Sequence, residues 1–165
     1  MRGVGLLVVL MAAMVLPAAA SLRATTASPP SSAPADEYFG PYKYSPLSIR
    51  TKIDVLARAY ASRWADDASI VHDAGLVETS LHAWVRRYPH DPWAASAALH
   101  LAELYTQIQS TTSRVHAIAA YRYVAQTFPH TQQGYLARLR LRSGLPPRHA
   151  ESPLDPAPNP DASPR

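Results

Sequence analysis

Cysteine is absent from this chain of 165 residues. That excludes disulfides, thiolate metal sites and a lipid-bearing thiol, so a folded domain outside the cytosol has to be held by packing alone. Glycine is sparse and scattered, six residues in all, with no Gly-x-Ser-x-Gly elbow and no glycine loop to cradle a phosphate. Long apolar runs are confined to residues 4–15, and with no second one the mature chain is not expected to insert stably in a membrane. An excess of one charge is lacking too. The formal net charge is +4, carried almost wholly by arginine, which is too weak a balance to point to nucleic acid.

What is present begins with an export pattern. Arg2, the apolar run and Ala18-Ala19-Ala20 read as a signal peptide over 1–20, expected to be cleaved before Ser21 against the alternative of an uncleaved membrane anchor, so the protein is expected in the periplasm or the secreted space. Residues 21–35 are almost all Ser, Thr, Ala and Pro, and 146–165 are proline-rich with almost no apolar content. Neither stretch can bury enough surface to offset its ordering entropy, so both are expected to be disordered, leaving 36–145 as the folded domain.

That domain repeats itself. Tyr88-Pro89-His90 returns forty residues later as Phe128-Pro129-His130, and in both copies an amphipathic run ends in an aromatic residue, a proline stops it and an alanine-leucine pattern follows at helical spacing. Self-similarity at such a period indicates stacked helix pairs. Ser45-Pro46 opens a first helix whose stripe is Ile49, Ile53, Leu56, Tyr60 and Trp64, with Arg50, Asp54 and Arg58 opposite. The second, about 68–88, buries Ile70, Ala74, Val77, Leu81, Trp84 and Tyr88, and its Gly75 is read as room for a neighbouring helix. Asp91-Pro92 caps a third with Ala94, Ala97, Ala98, Leu101, Tyr105 and Ile108 inward. Thr112 or Ser113 caps a fourth with Ala117, Tyr121, Val124 and Phe128 inward, and a fifth runs from about 131 to 143 and ends near Gly144. The predicted fold is all-α: a short solenoid of two antiparallel helix pairs and a capping helix. Before it, residues 36–44 hold Tyr38, Phe39, Tyr42 and Tyr44, read as an arm across the first helices or as a contact surface for a partner.

Tyr88-Pro89, Asp91-Pro92, Ala97, Leu101-Ala102 and Tyr105, followed by Ala117, Tyr121, Val124 and Phe128-Pro129, resemble a tetratricopeptide repeat of the kind found in bacterial cell-envelope proteins, such as outer-membrane-assembly lipoproteins and periplasmic cell-division coordinators. The resemblance implies that these residues, with Trp84, pack the repeats together. It also implies a non-enzymatic scaffold in which the first helix of each pair lines a groove for a peptide or protein. The groove positions would be Arg50, Asp54 and Arg58 on the first helix and Ser96, His100, Glu103 and Gln107 on the third, the latter a polar row stepping by 4, 3 and 4.

Other chemistry was weighed. His72, His82, His90, His100, His116, His130 and His149 lack the paired spacing of a zinc helix. The 66–73 cluster of Asp66, Asp67, His72 and Asp73 is the alternative centre, for a small exported hydrolase or metal-dependent enzyme, against a reading of it as a helix cap. Arg138, Arg140 and Arg142 offer a further alternative, a surface for an anionic polymer, against the solvated face of a terminal helix. On balance no catalytic residue, metal or cofactor is expected.

Overall fold

The computed structural model describes residues 32–147. The predicted signal peptide and its cleavage site, nearly all of the 21–35 stretch and all but the start of the 146–165 tail lie outside them. Among the described residues there are five helices and no strand: α1 (Pro46–Ala61), α2 (Asp67–Arg87), α3 (Pro92–Gln107), α4 (Thr111–Thr127) and α5 (Gln132–Ser143). None is long and apolar enough to cross a membrane.

Each start has a local cause. Ser45, Asp66, Asp91, Ser110 and Thr131 are extended and turn a side-chain oxygen onto an N–H of the first helical turn, and Pro46 and Pro92 stand where a missing N–H costs nothing. The cap of α4 is therefore Ser110, in place of the expected Thr112 or Ser113. Ser113 goes inside instead, where its hydroxyl donates to the Tyr105 carbonyl at 2.7 Å and ties α4 to the end of α3.

The two aromatic-proline corners are built alike. Tyr88 and Phe128 close their helices on the Trp84 and Val124 carbonyls, and Asp91 N–H and Thr131 N–H then return to the Tyr88 and Phe128 carbonyls. The second corner demands glycine: a Cβ on Gly134 would run into the Phe128 carbonyl oxygen. Gly75, by contrast, faces open space rather than a neighbouring helix.

α3 is the hub. It packs on α1, α2, α4 and α5, while α1 also meets α2, and α4 meets α5. With neighbours on several sides, α3 buries Ala95, Leu99 and Leu104 as well as the expected stripe. On α1 the stripe ends earlier than its spacing predicts. The helix stops at Ala61, Arg63 takes a left-handed turn with φ 54°, and Trp64 is thrown outward, 81% exposed. Tyr60 is half-buried, and its hydroxyl accepts from Gln109 N–H at 2.9 Å, joining α1 to the α3–α4 loop.

The aromatic arm packs on α2. Phe39 is buried, stacked on Trp84 at 6.1 Å and edge-on to Tyr88 at 6.0 Å, and it pairs antiparallel with Tyr44 around a turn. Gly40, with φ +69°, comes so close to Ser80 that a Cβ would stand 2.8 Å from its Oγ. Glu37 accepts from the Tyr88 hydroxyl at 2.6 Å and pairs with Arg87 at 2.9 Å. The folded unit extends back past Asp36 to Ala33, whose N–H donates to Asp91. At the other end the Arg114 guanidinium donates to the Leu145 and Pro146 carbonyls.

Candidate partner-binding face

The polar row of α3 gains a member at its N-terminal end, because Trp93 lies three residues before Ser96. Trp93 is 54% exposed, and the Arg50 guanidinium of α1 lies over its ring at 4.6 Å. This cation–π contact ties α1 to α3 at the surface and holds the indole upright. Asp54, Arg58, His100, Glu103 and Gln107 are exposed, while Arg50 and Ser96 are half-buried.

Further along α3 the row reaches a cleft of about 210 Å³ between α3 and α5. Leu99 and Tyr121 are buried at its base, Leu136 and Leu139 stand in its wall with 39% and 44% of their surface exposed, and Glu103 and Arg140 also line it. Singly exposed leucines are ordinary, but two beside an opening, in line with an exposed indole, make a surface at which a partner can bury apolar area. Arg140, read from sequence as one of three like arginines, is thereby separated from the half-buried Arg138 and the exposed Arg142. That Glu103 of α3 and Arg140 of α5 line the same cleft has no signature in either segment.

The expected repeat-packing residues divide. Trp84, Ala97, Leu101, Ala102, Tyr105, Ala117, Tyr121, Val124 and Phe128 are buried, and Tyr88 is half-buried. Pro89 and Pro129 are exposed: they stop their helices at the corners, take no part in the core, and with His90 and His130 border a separate apolar cleft of about 340 Å³.

Two groups go beyond what the sequence indicates, although it does place His82 and Glu78 on one face of α2, a pair expected to be ordinary surface chemistry. Asp91, taken only for a cap, is 1% exposed. Its Oδ1 accepts from Trp93 N–H at 2.9 Å, and its Oδ2 from Trp84 Nε1 at 3.0 Å and Ala33 N–H at 2.8 Å. One carboxylate thus holds α2, α3 and the N-terminal arm. Between α2, α3 and α4, Glu78 accepts from the Tyr105 hydroxyl at 2.9 Å and lies 4.0 Å from both His82 and His116. Burial, reinforced by Glu78, pushes the Tyr105 hydroxyl far above its ordinary range, so it stays a donor. Burial also lowers His82, against the opposing pull of Glu78.

The 66–73 cluster does not converge. Asp66 caps α2, accepting from Ser69 N–H at 2.8 Å and Ser69 Oγ at 3.0 Å, and these bonds hold its carboxyl below the usual range. His72 and Asp73 are exposed. Among the described residues no three His, Cys, Asp or Glu side chains are placed to hold a metal ion.

Comparison of the chain with family models, with curated proteins and with solved structures gave no match.

Proposed function

We propose that this chain is an exported, non-enzymatic helical-repeat adaptor that binds a peptide or protein segment along the face made by α1, α3 and α5. On this reading α1–α2 and α3–α4 are two units of a short solenoid resembling a tetratricopeptide array, α5 is its cap, and the first helices of the pairs present the groove. The observation that carries it is the row on α3 that begins at the exposed, arginine-covered Trp93 and runs through His100 to Glu103 at the rim of the Leu136–Leu139 cleft. An exposed aromatic residue at one end of a row and an apolar cleft with a polar rim at the other are features at which binding energy concentrates at interfaces. The engagement of Asp66 in capping supports the adaptor reading over a hydrolase centred there.

The test uses peptides selected on the full chain from a displayed random library and titrated against variants. His100→Ala with Glu103→Ala, and Trp93→Ala alone, should each weaken binding about tenfold or more while leaving the helical circular dichroism intact, since each removes about 1.4 kcal/mol or more of contact. Arg138→Ala with Arg142→Ala should change affinity less than about twofold, as expected of solvated rim charges. If only the arginine pair loses binding, the face assignment fails and a basic surface for an anionic polymer takes its place.

A further inference from the structure

Resting on that reading of the face, we infer that the α3–α5 cleft selects a dipolar segment: one apolar side chain flanked by a cationic residue on the Glu103 side and an anionic one on the Arg140 side. The cleft fits this chemistry in three ways. Its base and wall, Leu99, Tyr121, Leu136 and Leu139, are apolar and take a leucine- or phenylalanine-sized group. Its rim carries opposite charges from two helices, Glu103 of α3 and Arg140 of α5. And these two do not neutralise each other: neither has an ion-pair partner among the described residues, where the carboxylates engaged in such pairs are Glu37 and Glu78.

Two opposed, unpaired charges across an apolar slot discriminate by sign. A segment with like charges at both ends meets repulsion at one rim, and a neutral one leaves both rim groups without a partner while covering them. A wholly acidic partner, which the arginines of α5 suggest when taken alone, is disfavoured at Glu103. The cation over Trp93 lies at the far end of the row and adds a second anionic preference only to segments long enough to reach it.

The experiment titrates four synthetic peptides against the full chain, each with a central Leu-Phe: Lys before and Asp after, the reverse order, Asp on both sides, and Lys on both sides. One of the two dipolar peptides should bind about five- to tenfold more tightly than either like-charged one, the preference shrinking as salt rises. Arg140→Glu makes both rims acidic and should transfer the preference to the Lys-flanked peptide, a switch that mere loss of packing cannot produce. Leu136→Glu, which places a charge in the wall, should abolish binding of all four. If binding is lost in Leu136→Glu but the peptides bind equally and Arg140→Glu changes nothing, the dipolar selectivity is overturned and the face stands. If the Asp-flanked peptide binds best, an acidic partner replaces it. If none of the peptides binds, or binding survives Leu136→Glu, the cleft is not the binding site and both readings fall.

Discussion

Through one carboxylate Asp91 binds α2, α3 and the N-terminal arm to one another. Its carboxylate takes three N–H donors, one of which, the buried Trp84 indole N–H, would be left without a partner if it were truncated. Such an orphan costs about 1–3 kcal/mol and the lost cap about 1 more, so Asp91→Ala should lower stability by about 2–4 kcal/mol in a denaturant titration. Asp91→Asn keeps one acceptor but sets an amide NH₂ against N–H donors, and should recover only part of the loss. His82 makes a second prediction at this scale. It is faced by Glu78 and Arg86 on its own helix and by Tyr123 across the gap on α4, its ring 4.3 Å from the tyrosine. Burial sets its folded-state pKa below the ordinary 6.5, so the unfolded chain binds the proton more readily. The stabilisation is present in full above pH 6.5 and is lost as pH falls towards the folded-state value. Urea midpoints should therefore drop between pH 7.5 and 5.5, and by less in His82→Gln.

Among the elements, the second aromatic-proline corner gives a prediction whose sign is informative. Alanine is ordinarily about 1 kcal/mol better than glycine inside a helix. Gly134→Ala should nevertheless destabilise by about 2 kcal/mol, because its Cβ would meet the Phe128 carbonyl and α5 would have to move off the corner. Thermal or denaturant melts decide it, and a stabilised variant would mean that α5 docks differently. The corner itself was legible in sequence, since aromatic, proline and polar cap recur forty residues apart and each has a local steric role. So were the faces of α2, α3 and α4, where apolar residues step by three and four. Trp64 was misread because spacing cannot reveal that Arg63 turns left-handed and ends the phase, and the cap of α4 because Ser110, Thr111, Thr112 and Ser113 all suit a helix start. Asp91 looked like any cap, since nothing in its neighbourhood announces an indole seven residues back and an arm fifty-eight residues away. The cleft was illegible for the same reason: Glu103 and Arg140 come to line one cleft only through the packing of α5 on α3.

At the scale of the whole molecule, the arm makes the first helices dependent on chain that precedes them. Ala33, Glu37, Phe39 and Gly40 touch Asp91, Tyr88, Arg87, Trp84 and Ser80, a continuous seam along the second half of α2 and the corner beyond it. Local opening of this seam while the helices stay packed would uncover Trp84, which Phe39 covers. The three tryptophans of the chain would report this optically. Trp64 and Trp93 are mostly in water, and only Trp84 is sealed, beneath Phe39 and against Asp91. The short-wavelength part of the fluorescence therefore belongs to the residue the arm covers. Acrylamide quenching of that component, in native solution and without any label, would read how often the arm lifts.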